Sequence, residues 1–209
     1  MKAFHHALLI GNGPCCPAAA LKQLAGTADF ILAADGGANA AVKAGITPHA
    51  VIGDLDSVSS AVRKKLPHTK WLFVDNQNNT DLQKALDYLL QHKCKKCTLV
   101  GFGGGRVDFS LGNILALYLY VRQLDITWIG DGWKIYPIYK RKTFSARLNA
   151  RVSLLPLVPC RGVSLSGLKY PLKNARLALG TTRTLSNQTV RTRFTVSLSG
   201  GVLLVYQED

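Results

Sequence analysis

The period of the apolar residues changes once along this chain, near residue 130, and that change restricts what it can fold into. Before it, short apolar runs of strand length alternate with segments of helical period. The candidate strands are residues 7–11, 30–34, 50–53, 71–74, 98–102 and 126–130. The clearest helical pattern runs from Asp81 to Gln91, with Leu82, Ala85, Leu86, Leu89 and Leu90 spaced to share one face. Asn79 or Thr80 can cap its start. Gly45 sits where a helix beginning near Gly37 should stop. Such alternation predicts a mostly parallel, covered sheet. After residue 130 the helical period disappears. Phe194, Val196 and Leu198 then alternate with Thr195 and Ser197, and Gly200-Gly201 reads as a hairpin turn into a last strand at 202–206. The expected fold class is therefore α/β plus all-β. An N-terminal, mostly parallel α/β sheet domain spans 1–130, and a C-terminal β-sandwich domain spans 131–209.

The chain of 209 residues is long enough to bury a core in each part, and 47% hydrophobic with 18% charged residues argues against disorder. No apolar run approaches the roughly 20 residues of a membrane span. The first ten residues read as a strand more than a signal peptide, because no small-residue cleavage site follows. The expected compartment is the cytoplasm. Cys15, Cys16, Cys94, Cys97 and Cys160 are odd in number and fit reduced thiols. Cys94 and Cys97 have the spacing of half a zinc site, but no second ligand pair completes it, so two thiols at a helix end and a strand start are expected. The net charge is +14 and uneven: residues 1–130 hold 13 Lys and Arg against 9 acids, and residues 131–209 hold 13 against 3. Such a surface attracts polyanions such as ATP, would also suit nucleic acid, and otherwise serves solubility.

The aspartates of the first domain sit where strands end. Asp35-Gly36-Gly37-Ala38-Asn39 follows one predicted strand and Gly53-Asp54-Leu55-Asp56-Ser57 the next. Asn79-Thr80-Asp81 opens the amphipathic helix, and Gly103-Gly104-Gly105-Arg106-Val107-Asp108 follows the fifth strand. In an open α/β sheet, the carboxyl edge is where ligands bind. Clustered carboxylates repel one another unless a cation sits among them, and hard oxygen ligands select Mg²⁺. Asp54 and Asp56, two apart, could face one ion if the loop turns. The glycine run lets backbone N–H groups approach an anion, with Arg106 as a charged clamp. It is neither a Walker loop nor a dinucleotide fingerprint.

Those four segments, with Thr80-Asp81-Leu82-Gln83-Lys84-Ala85-Leu86, resemble the ordered motifs of the thiamin pyrophosphokinase family. Ser153-Leu154-Leu155-Pro156-Leu157, Gly167-Leu168-Lys169-Tyr170-Pro171-Leu172 and Ser186-Asn187 are similar to that family's thiamin-binding β-domain. The resemblance implies pyrophosphoryl transfer from ATP to the hydroxyl of thiamin, giving thiamin diphosphate and AMP, with Mg²⁺ as cofactor. It implies that Asp54, Asp56 and Asp81 hold metal and phosphates, and that Asp35, Gln77, Thr80 and Arg106 place the ATP. Asp108 would lie near the reacting groups or the thiamin, which Tyr170, Ser186 and Asn187 would contact. A homodimer with the site shared between chains is implied, with no membrane or nucleic-acid partner. Asn78, Phe109 and Tyr170 depart from the family pattern, where an acid, a His and a Trp are found in various relatives. Either Asp81 or Asp108 could accept the hydroxyl proton. A rival within enzymes is transfer to another alcohol such as a pterin. A rival of another class, nucleic-acid binding, rests on the basic second domain and is opposed by the four acidic loops.

Overall fold

The computed structural model describes residues 4–209. Two compact units divide the chain between Asp131 and Gly132.

In the first unit, strands β1 (His6–Ile10), β2 (Phe30–Ala34), β3 (Ala50–Gly53), β4 (Lys70–Phe73), β5 (Lys96–Val100) and β6 (Asp125–Gly130) alternate with five helices. These are α1 (Ala18–Gly26), α2 (Gly37–Lys43), α3 (Ser60–Lys65), α4 (Asp81–Gln91) and α5 (Val107–Tyr120). The strands pair in parallel in the order β6-β5-β1-β2-β3-β4. Every residue of β2 and β3 is buried, as a parallel sheet covered on both faces requires. Leu21 of α1 and Ala41 of α2 close over Leu8, Ile10, Ile31 and Val100, while α4 packs on β2 and β3. Gly37 lets α2 begin against the end of β1: a Cβ there would stand 2.0 Å from the carbonyl oxygen of Ile10. β4 and β5 begin at Lys70 and Lys96, earlier than the apolar runs alone indicated, because their exposed first residues still pair with a neighbouring strand. Of the expected thiols, Cys94 lies in the connection between α4 and β5, and Cys97 lies in β5. Cys94 and Cys97 are buried and unbridged, and burial raises both above the ordinary thiol range.

The second unit contains β7 (Trp133–Ile138), β8 (Lys142–Ser145), β9 (Arg151–Pro156), β10 (Cys160–Ser166), β11 (Leu172–Leu177), β12 (Asn187–Gln188), β13 (Arg193–Ser197) and β14 (Leu203–Glu208). They form two antiparallel layers, β12-β9-β14-β7 and β11-β10-β13-β8. Val152, Leu154, Leu203 and Val205 of one layer share a core with Phe144, Val163, Phe194 and Val196 of the other. The hairpin expected at Gly200-Gly201 is not formed. β13 lies between β8 and β10, whereas β14 lies between β7 and β9, so these glycines carry the chain from one layer to the other. The alternating pattern does not distinguish the two outcomes, because the inward residues of both layers enter the same core.

Candidate active site

Chain order in the parallel sheet reverses between β1 and β5, which makes the carboxyl end of that pair the crevice where a ligand is expected. Gly11-Asn12-Gly13 follows β1, and the glycine run follows β5. Gly13 N–H donates to the Gly101 carbonyl at 2.7 Å, so the two loops are fixed to each other. They line a hollow of about 210 Å³ together with Asp35, Thr80, Asp81 and Asn113.

The carboxylates reach this edge through an unusual backbone. Asp35 has φ 44° and Leu55 φ 64°, left-handed values that non-glycine residues seldom adopt. Leu55 is held there because its side chain packs with Val51, Val58 and Leu66, and because Arg63 Nη2 donates to its carbonyl at 2.7 Å. The loop therefore turns between Asp54 and Asp56. One carboxylate oxygen from each of Asp35, Asp54 and Asp56 lies within 4.8 Å of the others. Asp35 is buried and Asp56 exposed. Among the described residues, none of the three forms an ion pair. A set of hard oxygen donors without a cationic side chain fits a divalent cation such as Mg²⁺.

Asp81, expected with Asp54 and Asp56, faces the same edge and feels the charges of Asp35 and Asp54, though it is not among the three within 4.8 Å. It opens α4 and accepts from Lys84 Nζ at 3.1 Å, and the Lys84 side chain is only 5% exposed. Burial raises the Asp81 carboxyl above its ordinary range. Lys84 opposes that shift, and the charges of Asp35 and Asp54 add to it. Gly53, with φ 146°, brings these groups close: a Cβ there would lie 3.0 Å from Asp35 Cβ and 3.3 Å from an Asp81 oxygen. Thr80, not Asn79, caps α4, in a reciprocal box with Gln83. Thr80 Oγ1 also donates to Asn113 Oδ1 at 3.4 Å, while Asn113 Nδ2 donates to the Phe102 carbonyl at 2.9 Å. Asn113, itself buried, thus ties the acid-bearing helix to the glycine run.

Asp54 and Asp56 lie outside the lining of this hollow, which Asp35 alone of the three reaches, and so do Gln77, Arg106 and Asp108. Gln77 is exposed and donates to Asp75 at 3.2 Å. Arg106 donates to Asp108 through Nε at 3.1 Å and again through Nη2, and its guanidinium lies over the Phe109 ring at 4.4 Å. Hydrogen bonding from Arg106 holds the Asp108 carboxyl below the usual range.

In the second unit, Tyr170, Ser186 and Asn187 line one hollow of about 340 Å³, with Arg151, Lys169 and Glu208. Tyr170 is 60% exposed and Asn187 is buried. Asn187 Oδ1 accepts from the backbone N–H of Tyr170 at 3.0 Å and of Gln188 at 2.8 Å, and Nδ2 donates to the Tyr170 carbonyl at 2.7 Å. Its amide is committed to holding the chain at Tyr170. Ser186 has φ 56° and donates its N–H to Ser153 Oγ at 2.9 Å. Sequence reasoning passed over Asn12, Lys84 and Asn113. The Gly11-Asn12-Gly13 loop carried a usable signal, glycines directly after a predicted strand. Asn113 is a lone amide in an apolar helix, which is also legible. Nothing in the sequence marks Lys84 as buried.

A family model described as the catalytic domain of thiamin pyrophosphokinase matches residues 21–128. A second, described as that enzyme's vitamin B1 binding domain, matches residues 141–203. Thiamine pyrophosphokinase of Bacillus subtilis is 28% identical over 178 residues, covering 82% of this chain and 83% of the relative. The crystal structure of thiamine pyrophosphokinase from B. subtilis aligns with a TM-score of 0.86 at 27% identity, over 97% of this chain and 98% of that one. Thiamin pyrophosphokinase from Candida albicans aligns with a TM-score of 0.86 over 98% of this chain and 89% of its own. At 20% identity, that second likeness is one of fold.

Proposed function

Because the chain belongs to the thiamin pyrophosphokinase family and has its pyrophosphate-transfer activity, we propose that its two hollows divide one reaction between them. The acidic hollow takes ATP and the hollow at Tyr170 takes thiamin. The thiamin hydroxyl attacks the β-phosphorus of ATP, AMP leaves, and thiamin diphosphate is formed. The observation that carries this reading is the convergence of Asp54 and Asp56 on Asp35, which itself lines a hollow with two glycine loops at the switch point of the sheet.

Asp35, Asp54 and Asp56 would hold Mg²⁺, with Asp81 beside them. When bound, the ion supplies charge neutralisation on the phosphates and Lewis acidity toward their oxygens. The backbone N–H groups of the glycine loops and the Thr80 hydroxyl orient the phosphate chain. Gln77 and Arg106, both exposed, are available to close on ATP, with Asp108 near the reacting groups. Either Asp81 or Asp108 accepts the hydroxyl proton; burial raises the Asp81 carboxyl, and hydrogen bonding from Arg106 lowers that of Asp108. In the second hollow, Tyr170 and Ser186 offer exposed surface to thiamin, and Asn187 holds Tyr170 in place.

We also propose a homodimer in which the acidic edge of one chain meets the β-unit of its partner. Helix α5 supports this. Its Leu111, Leu115, Tyr118 and Leu119 lie 46–57% exposed in the single chain at the spacing of one helix face, and an apolar exposed face of that kind marks an interface. Five unbridged cysteines support a cytoplasmic setting, and no helix among the described residues is long and apolar enough to cross a membrane. The acceptor is tested by competition. With ATP and Mg²⁺ and equal amounts of thiamin and hydroxymethylpterin, thiamin alone should be consumed. Consumption of the pterin would assign the acceptor wrongly here.

A further inference from the structure

The turn that carries Asp54 and Asp56 is held by side chains from two helices. Asn39 of α2 donates through Nδ2 to the Ser57 carbonyl at 2.8 Å and accepts from the Ser59 N–H at 3.3 Å. These bonds fix the far end of the loop, beyond Asp56. Arg63 of α3 reaches back eight residues, and its Nη2 donates to the Leu55 carbonyl at 2.7 Å. Its guanidinium also lies over the Trp71 ring, 5.1 Å from the centre. Trp71 belongs to β4, which pairs with β3 up to Gly53, the residue before Asp54. The indole therefore supports the guanidinium from the same sheet edge that the loop leaves.

Leu55 is the residue that needs holding. Its φ of 64° lies in the left-handed region, which a residue with a Cβ seldom adopts. Asp54 and Asp56 flank it, so a return of Leu55 to an ordinary conformation would redirect both carboxylates and turn its carbonyl away from Arg63. Among the described residues Arg63 forms no ion pair. Its charge is directed at this carbonyl and at the indole, and a charged donor makes a stronger hydrogen bond than a neutral one.

We propose, on the reading that Asp35, Asp54 and Asp56 hold Mg²⁺, that Arg63 is a positioning residue for that ion. It acts through the Leu55 carbonyl, keeps Asp54 and Asp56 turned toward Asp35, and so sets the affinity of the three carboxylates for a divalent cation. Charge and geometry predict opposite effects of removing it. Loss of a positive charge near three carboxylates should tighten cation binding if Coulomb attraction alone matters. Loss of the turn should weaken it.

The test uses the full chain without ATP or thiamin. The probe is Mn²⁺, which takes the same oxygen ligands as Mg²⁺ and whose free form is counted by electron paramagnetic resonance. The wild-type chain should bind Mn²⁺ saturably, about one ion per chain. Arg63→Gln should weaken that binding by at least about fivefold, the change expected from one lost hydrogen bond. Thr69→Val controls for general damage. Thr69 Oγ1 donates to the Pro48 carbonyl at 2.8 Å, ahead of β3 and so at the opposite end of that strand from Asp54. This variant should lower the melting temperature and leave Mn²⁺ binding within about twofold of wild type. Unchanged or tighter binding by Arg63→Gln, or equal weakening by Thr69→Val, would overturn the role of Arg63 and leave the metal assignment standing. Absence of Mn²⁺ binding by the wild-type chain would instead remove the three carboxylates from metal binding, and Arg63 from this role with them.

Discussion

Asp35, Asp54 and Asp56 place three like charges within 4.8 Å, and two of the turns that bring them there hold non-glycine residues at positive φ. Hydrogen bonds from the Ser57 N–H to Asp35 and from the Ser57 hydroxyl to Asp56 offset part of that cost, and a cation would offset more. Asp54→Asn and Asp56→Asn should each lower turnover by at least about a hundredfold, because several kcal/mol of charge stabilisation is removed. Neither should lower the melting temperature of the metal-free protein, since repulsion is relieved, and both should reduce the stabilisation that added Mg²⁺ gives. Near-normal turnover in both would remove these residues from the metal site. Asn187→Ala should raise the KM for thiamin by about tenfold or more while leaving the KM for ATP unchanged. Its amide holds Tyr170 through two hydrogen bonds, each worth about 1 kcal/mol. Steady-state kinetics in both substrates separates this from general damage, which would move both constants. The acidic positions were legible because carboxylates after successive predicted strands fall on one edge of a parallel sheet. The company they keep was not. Which aspartate joins Asp54 and Asp56, and that Lys84 is buried against Asp81, depend on backbone angles and burial that spacing does not encode.

Among the elements, α4 was the most legible, since its apolar face, its acidic first turn and its cap all agree. Thr80→Ala should cost about 1 kcal/mol of stability through loss of the cap, measured by denaturant titration. Thr80→Ser should keep both stability and activity, because the hydroxyl remains. Helix α5 was harder to read. It is apolar around most of its circumference, a pattern that predicts full burial, yet Leu111, Leu115, Tyr118 and Leu119 are exposed. A single sequence does not separate a face buried within a chain from one buried between chains. If α5 forms the proposed dimer interface, the wild-type chain should sediment as a dimer and Leu111→Lys combined with Leu115→Lys as a monomer in sedimentation velocity. An unchanged sedimentation coefficient would exclude α5 from the interface. β13 and β14 were misassigned as a hairpin for a related reason: two layers facing one core give the same alternation as two neighbouring strands.

At the scale of the whole molecule, the acidic residues and the residues around Tyr170 belong to different units. The shared-site dimer proposed above is motivated by that division and by the twofold symmetry usual in such assemblies. Assayed at thiamin well below its KM, where Asn187→Ala chains alone are impaired about tenfold, Asp54→Ala and Asn187→Ala chains should recover about a quarter of wild-type activity when unfolded and refolded together. Random pairing makes about half the dimers mixed, and each mixed dimer has one intact site. No recovery, with subunit exchange shown independently, would place both halves of the site in one chain. The reaction itself is tested most directly by its products. With ATP, Mg²⁺ and thiamin, mass analysis should find AMP and thiamin diphosphate in equal amounts; ADP with thiamin monophosphate would contradict pyrophosphoryl transfer.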